Sequence, residues 1–212
     1  MIISRQKKYN DILEKIDGES VFIMGCSECA TVCKTGGEKE VKEMKEKLEK
    51  KSITVTGWVV LEPACNLQND KRILRKYKKE LDSSKKILVL ACGNGTQTVA
   101  EILKDKEIIS GNDTLFLGEI KHIGDFEKRC NLCGECIQDL FGSLCPISRC
   151  PKQMLNGPCG GSINGKCEIS KDIDCVWDLI YKKLKKQGQI DKLKEIVEPK
   201  DWSKSAEMQL VN

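Results

Sequence analysis

Thirteen cysteines carry most of the chemistry open to this 212-residue chain, and eight of them fall between Cys130 and Cys175. Cys130-Asn-Leu-Cys133-Gly-Glu-Cys136 opens that stretch, followed by Cys145-Pro146, Cys150-Pro151, Cys159-Gly160-Gly161, Cys167 and Cys175. In a ferredoxin-type loop this spacing lets three successive thiolates close on one iron–sulfur cluster. The fourth then comes from a distant Cys, often one followed by Pro. Tetrahedral zinc more often takes its thiolates as two pairs. The spacing therefore predicts a 4Fe-4S cluster on Cys130, Cys133, Cys136 and one Pro-flanked Cys. Others among Cys145, Cys150, Cys159, Cys167 and Cys175 would form a second cluster or a four-Cys zinc site. Between residues 131 and 174 large apolar side chains are few and Gly, Ser, Asn and Pro punctuate the run, so metal is the expected staple for so small a core.

The remaining five cysteines depend on the elements that must carry them. Short apolar runs at 21–24, 53–61 and 87–90 predict strands, with helices over 38–50, 69–81 and 96–104 between or after them. A leading helix over 6–16, a short strand at 107–110 and a fourth strand at 114–117 complete the pattern. Alternating strands and helices predict an α/β, Rossmann-like domain with a parallel sheet and right-handed crossovers, covering residues 1–125. Cys26, Cys29, Cys33, Cys65 and Cys92 then share one property: each lies just beyond the carboxyl end of a strand. In an open doubly wound sheet those ends form one rim, with ligands bound where the strand order reverses. A second metal site on this rim is the expectation, the plainer alternative being that Cys65 and Cys92 are small buried hydrophobes.

A Cys-rich domain over 126–171 follows, then C-terminal helices and a partner-docking tail over 172–212. Ile173, Val176, Trp177, Ile180 and Leu184 keep the helical period across 172–186. Another helical turn or two is expected over 190–197. The polar tail from 200 carries Trp202, Met208 and Leu210 as isolated apolar side chains.

Composition narrows the function classes. The chain holds 36 Lys and Arg against 32 Asp and Glu, interleaved rather than segregated, and only ten aromatic residues. That leaves no stacking platform for nucleic acid. No apolar signal region opens the chain and no run approaches membrane-spanning length, so it reads as cytoplasmic. In a reducing compartment an odd number of cysteines argues for metal ligation rather than a disulfide framework. His122 is the sole histidine and sits among charges, so no nucleophile–base constellation can be assembled. Lys71, Arg72, Arg75, Lys76, Lys78 and Lys79 crowd one helix, either as a solvated face or as a docking surface for an acidic redox carrier.

Gly93-Asn94-Gly95-Thr96-Gln97-Thr98 follows a strand as a dinucleotide-binding turn would. Thr98 stands where the third glycine belongs, and no acidic residue closes the next strand. Gly93 and Gly95 are better suited to letting backbone amides face an anionic cluster at a helix N-terminus. Gly36-Gly37 offers the first loop the same close approach.

Taken together, Cys130-x-x-Cys-Gly-x-Cys, Cys150-Pro-Lys, Asn156-Gly-Pro-Cys159-Gly-Gly and Gly165-Lys-Cys167-Glu resemble the methylenetetrahydrofolate reductase C-terminal domain family. The N-terminal Cys26-x-x-Cys-Ala-x-x-Cys-x-x-Gly-Gly-Glu and Ala91-Cys-Gly-x-Gly-x-Gln agree with it. In size and layout the chain is similar to the small, flavin-free subunit of the two-subunit reductase of acetogenic bacteria. The resemblance implies a flavin-bearing partner that reduces 5,10-methylenetetrahydrofolate to 5-methyltetrahydrofolate. This chain would carry one to three 4Fe-4S clusters, with zinc as a further candidate occupant. It would pass electrons to that flavin from a donor such as ferredoxin or another electron-carrying complex. The competing expectation is a zinc-stapled assembly subunit with no redox role.

Overall fold

A computed structural model describes residues 1–206 of the chain. They form two compact units, Met1–Phe116 with Ile120–Phe126, and Leu117–Glu119 with the chain from Glu127 onward. The first unit runs β1 (Ile2–Gln6), α1 (Tyr9–Ile16), β2 (Val21–Cys26), α2 (Cys29–Val32), α3 (Glu38–Glu49) and β3 (Val55–Leu61). It continues with α4 (Leu67–Leu74), α5 (Lys78–Ser83), β4 (Lys86–Leu90), α6 (Gly93–Ile102) and β5 (Glu107–Ser110). β6 (Asn112–His122) and β7 (Asp125–Cys130) then carry the chain from one unit to the other.

The expected α/β sheet is present. Its four strands are parallel in the order β3-β2-β4-β5, so the strand order reverses between β2 and β4. All six residues of β2 are buried, which explains an apolar run without alternation: helices cover both faces. Phe22, Met24, Ile87 and Val89 point to one face and meet Leu74, Leu81 and Val99. Val21, Ile23, Leu88 and Leu90 point to the other and meet Ile12, Ile16, Val41, Met44 and Leu48. Each such side chain contributes roughly 1.5–3 kcal/mol by leaving water. The β2 and β4 ends are drawn tightly together with the first loop. A Cβ on Gly36 would collide with the Leu90 carbonyl oxygen, and the Cys26 N–H donates to the Gly36 carbonyl at 2.9 Å.

Several expected boundaries shift. Residues 2–6 form a strand, and the leading helix begins only at Tyr9. The 69–81 helix is broken into α4, a 3-10 turn at Arg75–Tyr77, and α5. The strand foreseen at 114–117 is the middle of the longer β6, which joins a separate sheet of order β1-β6-β7. The fourth strand of the parallel sheet is β5.

The second unit adds α7 (Pro146–Arg149), β8 (Lys166–Cys167), β9 (Ser170–Asp174), α8 (Val176–Lys186) and α9 (Ser203–Ala206). Its core is Phe141, Val176, Trp177, Ile180 and Leu184, with Ile137, Leu140, Met154 and Leu193 packed around them. The helix foreseen over 172–186 starts at Val176, because residues 172–174 belong to β9. Two residues, Asn164 and Gly165 (φ 52° and 77°), turn the chain between Ile163 and Lys166, which bond to each other in both directions. Ile173 lies on β9, which pairs with β8 through Lys166–Asp174 and Cys167–Ser170, and it is 41 % exposed instead of facing the core. Met208 and Leu210 lie outside the described residues.

Candidate metal centres

Three βα loops of the first unit end at one rim. Cys26 closes β2, Cys29 opens α2, Cys65 follows β3, and Cys92 precedes α6 after β4. Cys26 and Cys92 thus flank the point where the strand order reverses. Gly95 sets the approach of two of these loops: a Cβ there would stand 3.0 Å from Ala64 Cβ and 3.1 Å from Ala91 Cβ. With no side chain at Gly95, the segment preceding Cys65 packs directly against the start of α6.

Electrostatics register the convergence. Partial burial of its sulfur pushes the Cys65 thiol above its ordinary range, and the negative charges of Cys92 and Cys26 push it further. A backbone hydrogen bond opposes the rise, and Cys29 adds to it. Cys65 is nevertheless an exposed residue, so these groups meet at the surface of the rim and not in its interior. Cys33 is placed differently. It ends α2 with its Sγ 3.8 Å from the Ile2 carbonyl oxygen, and it is not among the thiols that act on Cys65. The structure therefore places Cys26, Cys29, Cys65 and Cys92 on the loops at the carboxyl ends of β2, β3 and β4, with Cys26, Cys29 and Cys92 near enough to act on Cys65. Thiolates as donors suit iron–sulfur clusters or zinc.

Gly93 and Gly95 have definite structural roles. The Gly93 N–H donates to Thr114 Oγ1 at 2.7 Å, and Gly95 makes the close approach just described. The Gly36-Gly37 pair caps α3, where Glu40 accepts from the Gly37 N–H at 3.0 Å.

In the second unit the cysteines fall into two neighbourhoods. Cys130, Cys133 and Cys136 lie on a loop turned by Leu132 (φ 55°) and Gly134 (φ 78°). Cys130 Sγ accepts from the Leu132 N–H at 3.3 Å, and Cys133 Sγ donates to the Glu135 carbonyl at 3.4 Å. Cys145 is the residue before α7, whose Ser148 Oγ donates to the Arg129 carbonyl at 2.8 Å. Asn131 Nδ2 donates to Ile147 O at 3.3 Å, so α7 lies against the chain at Cys130. Arg129 pairs with Glu119 and Glu127, and Arg149 joins Glu127 at 3.1 Å, bracing the same corner.

The other four, Cys150, Cys159, Cys167 and Cys175, line one tight pocket of about 20 Å³. Space of that size admits a single water-sized body. Gly161 lies at its edge, where a Cβ would collide with the Glu168 carboxylate that Lys152 grips. The sequence left the partition of these cysteines open. The β8–β9 hairpin and the start of α8 group them in space.

Sequence reasoning missed a clasp on the three-thiol loop. Lys200 Nζ donates to the Glu135 carbonyl and lies 3.3 Å from Oε2, while Lys204 Nζ reaches Oε1 at 2.7 Å. Only 7 % of the Lys200 side chain is exposed. The two ammonium groups hold the Glu135 carboxyl below its ordinary range. It missed Asp70 as well, a fully buried carboxylate on α4 with neither oxygen hydrogen-bonded. An acid four residues before Leu74, on the same face of the helix, was the available signal.

His122 is exposed at the end of β6. Among the described residues, no three His, Cys, Asp or Glu side chains close into a ready-made site for one ion. A lone tetrahedral ion needs sulfurs about 3.8 Å apart, whereas a cluster several atoms across holds them further apart. No helix of the described residues is long and apolar enough to cross a membrane.

Fold and side chains together define a Cys-rich α/β protein that gathers thiols at a sheet rim and in a small second unit. Residues 109–203 match the family described as Methylene-tetrahydrofolate reductase C terminal. No curated protein and no solved structure matches the chain.

Proposed function

We propose that the chain is the electron-relay subunit of a methylenetetrahydrofolate reductase complex, working beside a flavin-bearing partner. What supports this reading is that Cys26, Cys29, Cys65 and Cys92 lie on the loops at the carboxyl ends of three strands beside the strand-order switch, in a chain whose residues 109–203 match the reductase family. Bound there, a 4Fe-4S cluster would supply one-electron transfer at a potential set by charge, hydrogen bonds and exposure. The chain's own residues do the rest. The sheet holds the four thiols at one rim, Gly95 lets two of the loops approach, and the exposed position of Cys65 keeps the centre near the surface. Folate reduction needs an electron pair and two protons, and in this reading it belongs to the flavin partner. Ferredoxin or another electron-carrying complex would be the donor.

A second reading, a zinc-stapled assembly subunit, draws on Cys150, Cys159, Cys167 and Cys175, which line one small pocket. The two separate experimentally. Anaerobic purification followed by iron, zinc and acid-labile sulfide analysis gives the metal of each set. Cys29→Ala should then lose the rim centre and keep the others. In the assembled complex it should also lose activity with the physiological donor while a dye that reduces the flavin directly still supports turnover. Full donor-driven activity in a complex without clusters would refute the relay.

A further inference from the structure

The second unit contains a cavity of about 480 Å³, a size typical of small-molecule sites, to which the reading above gives no role. One wall is α8, presenting Trp177, Asp178 and Tyr181. Facing it is a loop of bare backbone, where Gly157 and Gly160 hold φ of 113° and 81° and nothing lies within 4 Å of where a side chain would stand. Leu193, Glu195 and Ile196 also line the cavity.

The walls are fixed. The Trp177 indole N–H donates to the Met154 carbonyl at 3.0 Å, and its ring packs edge-on to Phe141 at 5.4 Å between centroids. Asn156 donates its amide to the Val197 carbonyl and accepts the Val197 N–H, both at 2.8 Å. That pair of hydrogen bonds between side chain and backbone ties the glycine loop to the chain at Val197.

Charge then selects the occupant. Among the described residues, no Lys or Arg lines the cavity. Asp178 gives one carboxylate oxygen to Lys182 at 2.7 Å, and the Glu195 side chain makes no hydrogen bond or ion pair among the described residues. Lys185 Nζ lies 5.9 Å from the centroid of the Tyr181 ring, outside the lining, so Glu195 is the unpaired charge that a phosphate or carboxylate would meet there, against apolar walls. A flat ring bearing N–H donors would gain from both: carboxylate hydrogen bonds at its edge and aromatic contact on its face.

The geometry points to a binding site for a small planar heteroaromatic molecule with an amidine-like N–H edge, neutral or cationic, recognised by Glu195 and Tyr181. The site does not depend on what the thiols hold, although Cys175 of the four-thiol pocket also lines it.

The test is calorimetric titration of the full chain at neutral pH with 2-aminobenzimidazole, using 2-naphthoate as a planar anionic control. The first should saturate one site below about 10 mM, within reach for a ligand of its size, and the second should not. Glu195→Gln and Tyr181→Ala should each weaken binding about tenfold. Both residues are exposed, so the variants keep the fold; Lys186→Ala, away from the cavity, should bind as the parent does. Equal binding of 2-naphthoate, unchanged affinity in both variants, or no saturable heat with 2-aminobenzimidazole would each overturn the assignment.

Discussion

Replacing Asp70 by asparagine should change how the first unit's stability depends on pH. Asp70 has no exposed surface and no hydrogen-bond partner for either oxygen, and burial raises its carboxyl from 3.8 to about 6. A raised acid binds its proton more tightly when folded. Below about pH 4 the group is neutral in both states and costs nothing in charge. As pH rises through the unfolded value towards the folded one, the folded state loses ground, and above about pH 6 the loss is constant. A shift of about 2 pH units corresponds to about 3 kcal/mol at 1.36 kcal/mol per unit. The amide keeps the size of the carboxylate and cannot ionise. Its own unmet hydrogen bonds shift stability by an amount independent of pH, so the signature is the change in the difference between variant and parent. That difference should move by about 3 kcal/mol in favour of the Asp70→Asn variant between about pH 4 and pH 7.5. Native-state hydrogen exchange of the β2 and β4 amides reads the opening free energy of this unit alone. Titration of the thiols is common to both proteins and cancels. A parallel pH profile for the two would refute the reasoning, showing that Asp70 is solvated or paired in solution.

Packing and charge set three further outcomes. Leu184→Ala removes a fully buried side chain from the second unit's core and should cost about 2–5 kcal/mol, read as faster exchange in α8 with β2 unchanged. Gly36→Ala drives a methyl group into the Leu90 carbonyl and should destabilise the first unit by about 1–3 kcal/mol or more, visible as a lowered urea midpoint. Glu135→Gln should free residues 200–204 and speed their hydrogen exchange. In the parent, the depressed carboxyl means the clasp is intact above the ordinary glutamate range and lost as pH falls below it, and about 1 M salt should weaken it too.

The sheet was legible because strands buried on both faces read as continuous apolar runs, as in Val21–Cys26 and Lys86–Leu90. β1 was not: Ile2–Gln6 buries only Ile3 and Ser4, and its polar half resembles a helix start. Ile173 fitted the helical period of α8 by coincidence, but its pairing on β9 with β8 takes it out of the helix. At the rim, strand ends foretold where Cys26, Cys29, Cys65 and Cys92 would lie. They could not foretell that one more turn of α2 carries Cys33 towards Ile2. The grouping of Cys150, Cys159, Cys167 and Cys175 is set by a hairpin and a helix start, which spacing alone does not encode.

The clasp on the three-thiol loop has a consequence in time. Lys200 and Lys204 stand 65 and 69 residues after the glutamate they hold. At roughly 5–20 residues per second, a ribosome needs about 3–13 s to make the intervening chain. Every newly made molecule therefore spends several seconds with Cys130, Cys133 and Cys136 already synthesised and the two lysines not yet on Glu135. Whatever those thiols take up can arrive in that interval without displacing a salt bridge; afterwards, uptake competes with two lysines that are already in place.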